Sequence, residues 1–423
     1  SLGGYLVDCP HIERLGYGGD GHASTQTAQT MFHMAGLYSH WLQSWADVMR
    51  PNGSLPHTAP NPYAAGGGPY WCAFLISASW QTYMNYGDQR LLEKYYPHME
   101  KWLEYVDDYT VDGLLQRWPD TSYRNWYLGD WATPEGVDQT DQSSVDLVSN
   151  CVVSVSLGQM SKIARLLGKE EDSQYYREKR KTLNQQIHST FFDEKKQLYA
   201  TGSQIDMIYP MLAGVVPKHF VSSVTSRLME RTDKNHEGHL ACGLVGIPIM
   251  MEWAVEANKP DFIYSMLRKK SYPGYLYMLE NGATTTWEHW NGHRSRIHNC
   301  YNGVGQWFYQ ALGGIRQLEA GPGGRQFLID PQIPHGVTWA KTAVNTPAGL
   351  IQNNWKLKEN NMEMEVEVPV GALAKWPVPS NIREVSLNNK RLESPSDTLN
   401  LKSGIYHIKY KTNHDTAGET QRK

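Results

Sequence analysis

Three carboxyl side chains, Asp8, Glu13 and Asp20, fall within thirteen residues near the start of the chain, in DCPHIERLGYGGD, with Gly16, Gly18 and Gly19 among them. A loop tight enough to need glycine holds such charges close, and like charges held close raise one another's pKa. This is how a protein keeps one carboxylic acid protonated near neutral pH while its neighbours ionise. A fourth acid, Glu288, stands between Trp287 and Trp290 in NGATTTWEHWNGH, residues 281–293. An acid between two indoles, followed by Asn291-Gly292, is what a base beside a sugar ring would look like. Cleaving a glycosidic bond requires two carboxyl groups flanking it, and an inverting enzyme leaves ~6.5–9.5 Å between them for a water. More than two hundred residues separate Glu288 from the first cluster, so the fold must bring them together.

The elements able to do that are helical. Residues 22–48 read as helix, 51–70 as a Pro- and Gly-rich excursion long enough to be a substrate loop, and 71–86 as helix again, starting at Trp71. Leu91 and Tyr95 begin an apolar stripe that resumes at Met99, Trp102 and Val106, and Pro97 reads as the first residue of a new helix. Residues 110–139 are irregular, with Trp118, Tyr123, Trp126, Tyr127 and Trp131 around Asp120 and Asp130, and form a second candidate site loop. Trp71 and Trp126 are accordingly counted among the candidate sugar contacts. A stripe from Val145 to Leu167 stops at Gly168, and a partner helix follows to about Thr190. Further helices are expected at 203–214, 217–231, 239–256, 259–269 and 300–315. Ten or so helices, joined alternately by short turns and long aromatic loops, imply an (α/α)6 toroid with its long loops at one end. A complete toroid has twelve, so upstream sequence is expected to be missing.

The pattern changes after Gln317. Gly321, Pro322, Gly323 and Gly324 break the chain, and beyond them Met362, Met364, Val366 and Val368 alternate with Glu363, Glu365 and Glu367. Strands near 325–329, 336–343, 355–357, 382–387 and 404–410 make a C-terminal antiparallel β-sandwich. The expected division is a catalytic toroid over 1–318, a sandwich over 319–414 and a disordered tail over 415–423.

A net charge of −3 over 423 residues, from 40 basic and 43 acidic side chains, gives no electrostatic reason to expect a nucleic-acid or membrane partner. No apolar run approaches a transmembrane span, and no signal peptide is visible in this chain. The five cysteines are scattered, with no C-x-x-C pair, and read as small buried residues. His289, His293 and His298 beside Glu288 could be a metal site, but Asn291-Gly292 interrupts the helix that H-x-x-x-H ligation needs, so they read as polar groups lining a sugar cleft and no cofactor is expected. Asp20 could also serve as the N-cap of the helix it precedes.

These motifs, in this order, resemble the α-L-rhamnosidases of glycoside hydrolase family 78. The likeness is carried by DCPHIERLGYGGDG before a helix, Gly129-Asp130-Trp131, GATTTWEHW, His298-Asn299, Gln306-Trp307-Phe308-Tyr309 and Gly313-Gly314-Ile315. It covers about residues 5–320, and the sandwich resembles that family's C-terminal domain. The resemblance implies an inverting exo-hydrolase that removes terminal α-L-rhamnose without a metal. Glu13 would be the general acid and Glu288 the base that activates water. Asp8 and Asp20 would bind sugar hydroxyls and help keep Glu13 protonated. Tyr17 and Trp131 would face the rhamnose methyl, with Asp130 and His298 as further polar contacts.

The chain departs from the family pattern at Ile12, where an Arg usually precedes the acid, at Tyr17 in place of Trp, and at Cys300 in place of a second His. Two alternatives remain at this level. One is another toroid carbohydrase acting on uronic acids, a lyase among them using Tyr17, His22 or His298. The other is a sugar-binding relative that has lost catalysis. The partner in every case is a carbohydrate. The family's usual upstream β-sandwich modules are expected to be missing, and a periplasmic or extracellular location is favoured over a cytoplasmic one.

Overall fold

The structure, a computed structural model, describes residues 4–62, 65–119, 127–136, 141–393 and 395–412. The chain forms two compact units, one of Ser1–Thr82, Gln89–Ala257 and Phe262–Gln306, the other of Tyr83–Asp88, Asn258–Asp261 and Trp307–Lys423.

The first unit is built from helices α1 (Gly18–Met31), α2 (Ala35–Val48), α3 (Pro69–Cys72), most of α4 (Phe74–Tyr86), α5 (Arg90–Asp108), α6 (Gln142–Leu166), α7 (Glu170–Phe191), α8 (Gln204–Leu212), α9 (Lys218–His236), α10 (Gly246–Glu256), most of α11 (Pro260–Leu267), α12 (Tyr275–Glu280) and the start of α13 (Val304–Trp307). The chain closes a ring on itself: α1 packs on α3, α3 on α6, α6 on α8, α8 on α10 and α10 on α1. Residues 303–306 fill the remaining place, with Gln306 bonded to Thr27 of α1 through its N–H at 3.0 Å and to the Pro248 carbonyl of α10 through its side chain at 2.7 Å. Burial separates inner from outer helices. Helix α10 buries every residue from Gly246 to Val255 except Glu252, whereas α7 buries only Ser173, Tyr176, Leu183 and Ile187. Helix α3 runs on into the buried α4 before α5 turns back, and α2, α7, α9 and α11 carry the chain back after α1, α6, α8 and α10, so the inner helices run in one direction and their N-termini share one end.

Local chemistry sets the ends of these helices. The Asp141 carboxylate accepts from the Ser143 and Ser144 N–H groups to start α6, and Gly168, at φ +74°, follows its last turn. Several expectations are corrected here. The single helix expected over 22–48 is broken at residues 32–34, where Phe32 turns to extended backbone. Pro97 lies inside a continuous α5. It sits on the solvent face, while Leu92, Tyr95, Tyr96, Met99, Trp102, Leu103 and Val106 bury the opposite stripe, so packing outweighs the lost N–H. The segment 239–245 is not helical, and α12 and the two-stranded pairs β1–β2 (Thr110–Val111, Leu114–Leu115) and β3–β4 (Phe192–Asp193, Leu198–Tyr199) were not expected. Trp41, Trp45, Trp102 and Trp253 are core residues. Among the described residues no helix is long and apolar enough to cross a membrane.

The second unit stacks two sheets. One has the order β13 (Thr398–Leu401), β10 (Leu373–Pro377), β6 (Gln326–Ile329), β5 (Ile315–Gln317). The other has the order β12 (Lys390–Arg391), β11 (Ile382–Leu387), β14 (Gly404–Thr412), β9 (Asn361–Val368), β8 (Gly349–Lys358), β7 (Trp339–Thr346). The period-two pattern holds in β9, where Met362, Met364, Val366 and Val368 enter a core with Phe327, Trp355, Trp376 and Ile408. The sandwich is not wholly antiparallel, because β6 and β10 pair in parallel. The helix expected over 300–315 ends in a π-helical turn, Phe308–Leu312, followed by β5. The tail expected beyond residue 414 lies outside the described residues.

Candidate active site

The first acid cluster sits on the loop that enters α1. Asp8 and Leu15 bond twice, Asp8 N–H to the Leu15 carbonyl and Leu15 N–H to Asp8 Oδ1, each at 3.0 Å, which pinches residues 9–14 into a closed turn carrying Glu13. Helix α1 begins as close to its neighbours as a backbone can come. A Cβ on Gly18 would lie 2.1 Å from the Trp71 carbonyl oxygen, and one on Gly19 would lie 2.4 Å from the Trp71 ring. Asp20 lies in the first turn of this helix. It is not the N-cap, which is Tyr17, with no side-chain capping bond.

The second cluster is a loop closed on itself. His298 N–H bonds the Thr286 carbonyl at 3.0 Å, and the Thr286 hydroxyl returns a bond to the His298 carbonyl at 2.6 Å. Inside that clasp Glu288 N–H bonds the Ser295 carbonyl at 2.9 Å, and Ser295 N–H bonds Glu288 Oε2 at 3.0 Å. The carboxylate is thereby fixed by its own loop.

Glu13 and Glu288 meet across Arg294. Its Nη2 contacts Glu13 Oε1, and its Nε lies 3.1 Å from Glu288 Oε1. Two hydrogen-bond lengths and one guanidinium put the two carboxyls at most about 8 Å apart. Four polar atoms around this point are buried and, among the described residues, without a hydrogen-bond partner: Glu13 Oε2, Asp20 Oδ1, His289 Nε2 and Trp131 Nε1. The groups adjoin one another, with His289 Nε2 3.6 Å from Glu288 Oε1, the Trp131 ring 5.5 Å from that of His289 and 6.1 Å from that of His298, and His298 Nδ1 3.4 Å from Asp20 Oδ1.

The charge states divide sharply. Burial, with repulsion from Glu13 and Glu288, pushes the Asp8 carboxyl up to about 7 against the pull of the Cys9 and Leu15 amides. Burial also pushes Asp20 well up, with Asp8 and Glu288 adding to it. For Glu288 burial also raises the pKa, but His289, the Ser295 amide, His298 and Arg294 together outweigh it and hold the group below its ordinary value. Burial lowers His298 to about 4, so its ring is neutral. Cys300 N–H donates to His298 Nδ1 at 3.1 Å, which leaves the ring proton on Nε2. Cys9 and Cys300 are buried, and burial raises both thiols, which suits packing and not nucleophilic attack.

The remaining candidates separate. Tyr17 is partly buried and bridges Thr58 of the 51–70 loop. Trp287 is 2% exposed beneath Gly292, with Arg296 over its ring at 5.1 Å. Trp71 and Trp290 are both buried. Trp71 packs under the start of α1, and Trp290 donates to the Cys242 carbonyl at 2.9 Å and stacks on Tyr301 at 4.1 Å. Asp130 is buried too. Its oxygens accept from the N–H groups of Gly243, Val245 and Gly246 at 2.7, 2.9 and 2.9 Å, so it caps α10, and burial raises it to about 7 against the pull of those amides. Trp126 lies outside the described residues. His22, a proton-transfer candidate for an eliminating enzyme, is stacked on Tyr70 at 3.9 Å with Nδ1 3.0 Å from the Tyr70 carbonyl. Among the described residues no group of three or more His, Cys, Asp and Glu side chains could hold a metal ion. Sequence reasoning passed over Arg294, whose signal was its place six residues after Glu288 in GHRSR.

A closed ring of helical hairpins with paired carboxyls at its N-terminal mouth defines a six-hairpin glycosidase scaffold. The chain belongs to the bacterial α-L-rhamnosidase family: the model of that family's six-hairpin glycosidase domain matches residues 1–312, and that of its C-terminal domain matches residues 314–393. An α-L-rhamnosidase of Alteromonas sp. (strain LOR) is 28% identical over 95% of this chain, and one of Formosa agariphila is 25% identical over 95%. The chain spans 45% and 44% of the lengths of these two relatives. The solved α-L-rhamnosidase of Dictyoglumus thermophilum superposes with a TM-score of 0.87 at 28% identity, covering 97% of this chain and 47% of that one. The Streptomyces avermitilis enzyme, solved with L-rhamnose, gives 0.84 at 22% identity, covering 96% and 39%, and supports the fold.

Proposed function

We propose that this chain is the catalytic part of an exo-acting α-L-rhamnosidase, with Glu13 as general acid and Glu288 as general base. The observation that carries this reading is the set of buried polar atoms without partners among the described residues, Glu13 Oε2, Asp20 Oδ1, His289 Nε2 and Trp131 Nε1, gathered around the paired carboxyls of Glu13 and Glu288. Buried polar atoms are left unpaired at a cost, and here a polyhydroxylated ligand would satisfy them together. Glu288, held ionised by its donors, takes a proton from water as the water oxygen bonds to the anomeric carbon. The bond from that carbon to the glycosidic oxygen breaks, and Glu13 delivers its proton to that oxygen. Asp8 and Asp20, pushed toward their protonated forms, donate as well as accept hydrogen bonds to sugar hydroxyls. The neutral His298 presents its Nε2 proton, and Trp131 and Tyr17 offer apolar surface to the 6-deoxy methyl.

The test is release of the chromophore from an aryl α-L-rhamnoside, with the first-formed anomer followed by NMR. Release with inverted configuration is expected. Retained binding of L-rhamnose with no release would leave a sugar-binding protein, and release with retained configuration would remove Glu288 from the role of base.

A further inference from the structure

The outer face of the six-stranded sheet has no part in the chemistry assigned to Glu13 and Glu288. In β7 Trp339, Lys341 and Ala343 face solvent while Ala340 and Val344 are buried, and the alternation continues through β8, β9 and β14. The strand register lines the outward residues up in two rows. One holds Trp339, Lys356, Glu363 and Lys409, and the next holds Lys341, Asn354, Glu365 and His407. These rows line a cavity of about 600 Å³. At its β7 edge the Trp339 indole is 61% exposed.

A large flat ring left in water beside polar neighbours suits a ligand with an apolar face and a polar edge, which is the shape of a pyranose. The charges around the indole are uneven. Glu363 and Glu365 are engaged from β14, with Lys409 Nζ 3.0 Å from Glu363 and His407 Nδ1 3.8 Å from Glu365. Beside Trp339 stand Lys341 and Lys356, and among the described residues neither ammonium group is in an ion pair. Lys356 is directly opposite Trp339 and Lys341 is two residues along the same strand, so both side chains leave the backbone within about 7 Å of it. The indole therefore has two uncompensated positive charges at its side.

We propose that this face is a second, non-catalytic carbohydrate site that takes a uronic-acid residue of a glycan: the pyranose lies on the Trp339 indole and its carboxylate meets Lys341 and Lys356. The choice of a sugar as occupant rests on the function proposed above, and the choice of an acidic one rests on the two unpaired lysines. Such a site adds affinity for an acidic chain long enough to engage both units and leaves a small rhamnoside untouched.

Calorimetry on the full chain with tetragalacturonate, and with its uncharged methyl ester, tests this. The acid is expected to bind, more weakly as salt is raised, and the ester to bind at least about 5-fold more weakly than the acid. Trp339→Ala should weaken binding of the acid about 10-fold, and Lys341→Gln or Lys356→Gln about 2- to 5-fold each. Because the indole is largely exposed, Trp339→Ala should keep the parent's circular dichroism, and its kcat and KM on an aryl α-L-rhamnoside should stay within about twofold. No binding of tetragalacturonate by the parent, equal binding by Trp339→Ala, or equal binding of acid and ester would each overturn the proposal. So would a dimer in sedimentation that Trp339→Ala dissociates while tetragalacturonate does not bind, which would make the face an interface between copies. Binding through Trp339 by a parent that does not hydrolyse the rhamnoside would remove the catalytic reading and leave this site, whereas hydrolysis without such binding removes this site alone.

Discussion

The two acid-bearing loops treat their carboxyls in opposite ways. Around residues 8–20 burial dominates, and Asp8 and Asp20 are pushed up, toward the protonated form. Around residues 286–298 the carboxyl of Glu288 is as well buried, but His289, the Ser295 amide, His298 and Arg294 are aimed at it and bring it down. Solvent exposure is similarly low at Asp8, Asp20 and Glu288, and backbone amides alone do not offset burial at Asp8 or at Asp130, so the side-chain groups His289, His298 and Arg294 are what set Glu288 apart.

The largest effect that would break this contrast is on turnover. Glu288→Gln is expected to lower kcat by about 10³-fold or more, since it removes the carboxylate that the second loop supplies as base. Glu13→Gln should cost about 10²- to 10⁴-fold with an alkyl leaving group and far less with an activated aryl one, which departs without a proton. Turnover within a few-fold of the parent in either variant would undo the division of roles. Because Glu288 is held below its ordinary value, the acidic limb of kcat/KM is expected below the usual glutamate range.

Next in size is stability, at a third buried carboxyl. Asp130→Ala leaves the Gly243, Val245 and Gly246 amides unpaired and removes the cap of α10, and should destabilise the fold by about 2–4 kcal/mol in urea unfolding. Turnover per folded molecule should change little. Lost turnover at full stability would return Asp130 to the sugar contacts.

The smallest effect concerns Asp8. Its folded-state value of about 7 stands above its ordinary 3.8, so the native chain binds this proton more tightly than the unfolded chain. The stability it contributes is full below about pH 4 and fades as pH rises through about 7. Asp8→Asn should remove that slope while keeping the bond from Leu15 N–H. Between pH 4.5 and 7.5 the parent is expected to lose up to about 3 kcal/mol more than the variant. Equal slopes would show that Asp8 is ionised in the native state.

Much of this was legible in residue types. The glycine-spaced acids and the acid between indoles marked both loops, and helical stripes with one period-two region implied a toroid and a sandwich. What the sequence hid was direction. Trp290 and Trp287 flank Glu288 in the chain, but both are buried, and Trp290 belongs to a stack with Tyr301. Asp130 sits among aromatics and looked like a ligand, yet its partners are amides more than a hundred residues on, which carry no side-chain signature. Arg294 was invisible for the converse reason, because its meaning depends on Glu13 at the far end of the unit. The parallel pairing of β6 with β10 was likewise a long-range fact without a local pattern.

The flush seating of α1 on Trp71 has a consequence for how such a site can diverge. At Gly18 and Gly19 the smallest possible mutational step already collides with the Trp71 backbone or ring, so the floor of the mouth is closed to gradual change. The rim is not: Ile12 is 45% exposed, and Arg294 is 40% exposed on a loop whose backbone is pinned from within. A selection experiment that alters what this mouth accepts has its freedom at those rim positions and not at the floor.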